Sequence, residues 1–140
     1  MSNAELDALV KIDQLKVEPA SRAEYMGLVT SAARRLTDAR DESLSSESRF
    51  DLAYNAAHGY ALAALRRKGY RSPNRFIVFQ VLPHTAGLGP SIWRVLSKCH
   101  DQRNLAEYEG HSEIDMQLLS DLIKCATALE NEVKKLHVPD

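Results

Sequence analysis

A chain of 140 residues, 44% of them apolar, can bury a core of its own without metal or disulfide staples, and at this length one domain is expected rather than several. Its 19 acidic and 18 basic side chains leave a formal charge of -1, which excludes a global field that selects nucleic acid or membrane, so any phosphate binding has to be local. No apolar run approaches the ~18 residues of a membrane span, no charged-then-apolar leader opens the chain, and Cys99 and Cys125 both fall on apolar helical stripes; a cytoplasmic protein without disulfides is expected.

In chain order, Leu6, Leu9, Val10 and Ile12 predict a short helix or a docked arm within residues 1–20, ahead of the extended Lys16-Val17-Glu18-Pro19. Residues 21–138 then read as a helical bundle. Ser21 and Glu24 have the spacing of a capping box, and the helix behind them turns Tyr25, Leu28, Val29, Ala32 and Leu36 inward. The hydroxyl-rich stretch from Ser43 to Glu47 opens a second helix that runs to about Lys68 and ends at Gly69. Its inward face carries Phe50, Ala53, Tyr54, Ala57, Tyr60, Ala61 and Ala64, and so many alanines predict close approach by another helix. Asn55 and His58 share a second face with Leu62 and Leu65, where a histidine is either a satisfied core residue or a ligand-binding one.

Residues 66–75 place five cations around Tyr70. Such a run either grips a phosphate backbone or gathers at a helix C-terminus because the dipole favours cations there, and the balanced charge of the chain favours the second account. Pro73 starts a short apolar helix through Phe76 and Leu82 that Pro83 ends; the same residues fit a short buried strand, but no second β-like run is there to pair with it. The stretch from His84 to Gly89 reads as a loop without the spacing of a phosphate-binding glycine loop.

Residues 90–110 read as one helix, with Pro90 in its first turn and Gly110 past its end. Ile92, Leu96, Cys99 and Ala106 form a stripe in which Arg103 occupies the position expected to be apolar. A guanidinium does not shed its proton, so Arg103 either meets an anion in a cleft or pairs with Asp101 or Glu107. His100, Asn104, Tyr108 and His111 crowd around it in sequence, which marks a candidate site for anion binding or proton transfer. Ser112 to Asp115 caps a last helix with the stripe Ile114, Leu118, Leu122, Cys125, Leu129, Val133 and Leu136. Four long amphipathic helices and one short extra helix predict an all-α, antiparallel up-and-down four-helix bundle. The histidines His58, His84, His100, His111 and His137 lack metal-ligand spacing, so neither a metal nor another cofactor is expected.

Residues 45–58 and 101–108 resemble those of a HEPN domain, the small helical domain named for higher eukaryotes and prokaryotes nucleotide-binding. The likeness spans roughly residues 21 to 136 and is greatest to bacterial stand-alone members. It implies a homodimer in which the arginine-bearing helices of two protomers face one cleft. Many such proteins are metal-independent endoribonucleases, including toxins paired with minimal nucleotidyltransferase antitoxins. They share an Arg, a polar residue that is often Asn, and a His after four to six intervening positions. Arg103 and Asn104 match, Tyr108 stands where the shortest spacing would put the His, and His111 follows after seven intervening residues.

A phenol, with a pKa of about 10, is poorly suited to proton transfer near neutral pH, where imidazole serves. The expectation is therefore a dimer that binds RNA or a nucleotide through Arg103, Asn104, Tyr108, His100 and His58, in a toxin-antitoxin or stress-response setting, with weak or no catalysis. One alternative is a metal-independent endoribonuclease in which Arg103 works with His111 or His100. Another is a structural dimer in which Arg103 pairs with a carboxylate of the partner protomer.

Overall fold

Seven helices and a two-stranded ribbon follow one another in the computed structural model, which describes residues 3–109 and 113–140, with all side chains except those of 106–109. In order they are α1 (Ala4–Lys11), β1 (Lys16–Val17), α2 (Arg22–Ala39), α3 (Ser46–Arg67), β2 (Tyr70–Arg71), α4 (Arg75–Gln80), α5 (Leu82–Thr85), α6 (Pro90–Glu109) and α7 (Met116–Lys134). The protein is essentially all-α.

Helix α3 is the axis against which α2, α4, α5 and α7 pack, and its small residues make this possible. Ser45 caps it by accepting from the Ser48 amide, and Lys68 closes it before Gly69, whose φ of +90° suits a residue without a side chain. All seven predicted inward residues of α3 are buried, and so are Ala56, Gly59, Ala63 and Leu65. A Cβ added at Gly59 would stand 3.1 Å from Ala32 Cβ and 3.6 Å from the Leu28 carbonyl, so α2 lies against α3 almost backbone to backbone. That is the close approach the alanines predicted.

Helix α2 starts as predicted, with the Ser21 hydroxyl accepting from the Glu24 amide. The other half of the capping box is diverted, because the Glu24 carboxylate goes to Arg66 and Arg71. On α7 the cap is Asp115, which accepts from the Gln117 and Leu118 amides. Leu122, Cys125, Leu129 and Val133 are buried there together with Leu119 and Ala126, while Ile114, Leu118 and Leu136 are partly buried. Ser112 lies outside the described residues.

Two local expectations are corrected. Pro83 does not end the helical run: Gln80 ends α4 and Pro83 sits in the first turn of α5, where its missing amide costs nothing, so His84 is helical too. A pair of β segments also exists, away from the stretch where one was sought: Lys16 and Val17 pair antiparallel with Arg71 and Tyr70. Each strand is two residues long, too short for any alternation to appear in the sequence.

This ribbon fixes the N-terminal segment to α3 through Arg66, which is only 2% exposed. Its guanidinium donates to Glu24 Oε1 (2.6 Å) and to the carbonyls of Glu18 (2.9 Å), Pro19 (2.7 Å) and Tyr70 (3.2 Å), with Glu18 Oε2 at 3.3 Å. Arg71 bridges the same two carboxylates. The predicted dipole account of these cations is thus incomplete, since Arg66 and Arg71 fasten the ribbon. Leu6 and Leu15, both buried in the same core, complete the attachment.

Candidate functional site

Three helices bring polar groups together over one buried aromatic ring. Tyr54 lies on the inward face of α3, fully buried, with its edge packed against Phe79 of α4 at a centroid distance of 5.7 Å. Its hydroxyl is 2.9 Å from His100 Nδ1 on α6. The packing of α4 on α6 sets this distance: Phe76 meets Trp93 edge to face at 4.7 Å and lies 5.8 Å from the His100 ring.

Two guanidinium groups converge on the Tyr54 ring. The Arg103 guanidinium carbon is 5.3 Å from the ring centroid, reaching from α6, and that of Arg75 is 5.6 Å away, reaching from the start of α4. Arg103 Nε also lies 4.0 Å from Asp51 Oδ1, at the outer limit of an ion pair, with the Asp51 side chain 66% exposed. Arg75 Nη1 donates to Asn55 Oδ1 at 3.0 Å, and Asn55 Nδ2 donates in turn to the Asp51 carbonyl at 2.8 Å, which aims the amide oxygen at Arg75. Among the described residues Arg75 enters no ion pair. Its position follows from Asn74, whose side chain accepts from the Phe76 and Ile77 amides and so makes Arg75 the first residue of α4.

His58 stands one turn beyond Tyr54 on α3, partly buried and edge-on to Phe79 at 5.9 Å. Burial first, and then the charges of Arg75 and Arg103, push its imidazole down to about 4, so it is neutral at physiological pH. Burial likewise pushes the Tyr54 phenol up, against the pull of both arginines. The arrangement is a neutral imidazole and a neutral phenol beneath two fixed positive charges. Each guanidinium offers charge-assisted hydrogen-bond donors to an anion that reaches it.

Of the residues expected to form a site, Arg103, His100 and His58 come together, although 42 positions of sequence separate His58 from His100. Asn104 follows Arg103 on α6 and is partly buried. The Tyr108 side chain and the whole of His111 lie outside the described residues. Sequence reasoning missed Arg75, Tyr54 and Asn55 as site residues. Sequence position groups Arg75 with the cations of the α3 terminus; the signal that separates it is Asn74, a capping residue directly before an apolar helix.

Cys99 and Cys125 are free and buried, and burial pushes their thiols up to about 12 and about 11, so both act as apolar packing groups. Among the described residues no group of three His, Cys, Asp or Glu side chains is arranged to hold a metal ion, and no helix is long and apolar enough to cross a membrane. Comparison of the chain with protein-family models gives no match, and comparison with curated proteins gives none either.

Proposed function

We propose that the chain is a HEPN-like protein that binds RNA or a nucleotide as a homodimer, with weak or no catalysis, and that it serves a toxin-antitoxin or stress-response system in the cytoplasm, with a minimal nucleotidyltransferase as the partner to test first. The observation that carries this reading is the approach of Arg75 and Arg103 to the Tyr54 ring, from two different helices, near the neutral His58. Paired guanidinium groups suit a phosphodiester.

Binding of a labelled single-stranded RNA, followed by anisotropy across a salt series, tests the reading. Arg75→Ala and Arg103→Ala should each weaken binding about tenfold and lower the salt slope by about one. Unchanged affinity and slope in both variants would reject it. Light scattering on the same samples tests the dimer, and an Arg103→Ala variant that dissociates while keeping its RNA affinity per protomer would instead favour the structural-dimer alternative.

A second reading, a metal-independent ribonuclease, is favoured by one specific feature: His100 sits at the Tyr54 hydroxyl, on the ring over which Arg103 and Arg75 lie. The His100 imidazole would take the proton of a 2'-hydroxyl as its oxygen attacks phosphorus and the P–O5' bond breaks, the departing oxygen gaining a proton from water, while the guanidinium groups stabilise charge on phosphorus. Cleavage of RNA without added metal that is lost in both His100→Gln and Arg103→Ala would establish it.

A further inference from the structure

Away from the residues of the Tyr54 cluster, an open groove of about 430 Å³ runs between the end of α2, the first turn of α3 and the first half of α7. Its floor is apolar: Leu119 is buried, Ile123 partly buried, and Met116 stands 56% exposed at one end. Around this floor stand Arg40, Arg49 and Lys124, against one carboxylate, Glu42. The described residues contain no ion pair to any of these three cations.

Both arginines are instead held by neutral acceptors. Arg40 Nη2 donates to the Thr127 hydroxyl at 2.8 Å, and Arg49 Nε donates to the Ala39 carbonyl at 2.9 Å. One N–H of each guanidinium is thereby anchored while the others stay available, which fixes the direction of the charge without cancelling it. The neighbouring Asp41 accepts from the Ser43 amide and hydroxyl, at 2.9 and 2.7 Å, which keeps it anionic and within electrostatic reach of Arg49, so three cations stand against two carboxylates. A surplus of fixed positive charge over an apolar floor is matched by a molecule that is anionic at one end and greasy at the other. The groove volume falls in the range of small-molecule sites, roughly 300–1,000 Å³.

We propose that this groove binds a small amphipathic anion, a carboxylate or phosphate headgroup on a short apolar body, with Arg40, Arg49 and Lys124 receiving the charge and Met116, Leu119 and Ile123 the apolar part. The proposal is independent of the RNA reading, because it uses none of the residues of the Tyr54 cluster.

Octanoate serves as the probe, titrated into the full chain by calorimetry, with octanol and inorganic phosphate in separate arms. Saturable one-to-one binding of octanoate is expected, with octanol and phosphate each at least tenfold weaker. Lys124→Glu, at an exposed position and with its fold checked by thermal melting, should weaken octanoate at least tenfold, Met116→Ser about threefold, and Arg75→Ala not at all. Absence of saturable binding, equal affinity for octanol, or an unchanged affinity in Lys124→Glu would each overturn the proposal.

Discussion

Two arginines that look alike in the sequence have opposite roles in the molecule. Arg66 is enclosed by two carboxylates and three backbone carbonyls, and its role is to tie the ribbon to α3. Removing one partner of such a buried set leaves the others uncompensated, so Arg66→Ala should lower the free energy of unfolding by ~3–5 kcal/mol in a urea titration. A loss below about 1 kcal/mol would mean that the network contributes nothing beyond a surface ion pair. Arg103 was legible from the sequence because it interrupts an apolar stripe, and a stripe is a local pattern. Arg66 was not, because its acceptors, at residues 18, 19, 24 and 70, belong to other elements, and nothing near it in the chain distinguishes it from Arg67, which donates to the His137 carbonyl at the surface.

Among the elements, the long helices were legible nearly to the residue, since capping hydroxyls, a terminal glycine and a period of three to four residues are all properties of nearby sequence. Ser21, Ser45 and Gly69 stand where those rules put them. The short elements were less legible. Pro83 reads equally well as a stop or as a first-turn residue, and only the packing of Leu82 into the core decides for a new helix. The α2–α3 contact gives a sharp test. With Ala32 Cβ 3.1 Å from where a Gly59 side chain would begin, Gly59→Val has to push the two helices apart and should lower stability by about 1–3 kcal/mol, with a corresponding fall in Tm. Gly27, on the same helix pair but with open space around it, should accept alanine without loss. Equal behaviour at the two glycines would contradict the close approach.

For the molecule as a whole, acid should be destabilising for two separable reasons. Burial raises the Glu24 carboxyl, but hydrogen bonds and charge from Arg71 and Arg66 outweigh it and leave it below its ordinary value of 4.5. A carboxyl lowered on folding contributes stability that is present above the unfolded value and is lost as pH falls through the folded one. His58 titrates earlier in the descent. Its folded value of about 4 lies below the ordinary 6.5, so the unfolded chain takes up the proton first, and stability falls between pH 6.5 and 4 by on the order of 3 kcal/mol. Urea midpoints should decline over that window in the native chain and stay nearly level in His58→Phe; parallel declines would remove His58 from the account.

The same imidazole reports on the site, because burial first and then the charges of Arg75 and Arg103 hold its pKa down, and those two charges are the ones proposed to receive phosphate. The spatial union of α3, α4 and α6 over Tyr54 could not be read from the sequence, where Arg75 and Arg103 are 28 positions apart, and it rests on the packing of Phe76 against Trp93. NMR titration of the His58 imidazole, in the free protein and with a saturating single-stranded RNA, therefore tests the central claim most directly. The account predicts a midpoint near 4 in the free protein that moves upward when phosphate offsets the two guanidinium charges. A midpoint near 6.5 in the free protein, or one that RNA leaves in place, would contradict it.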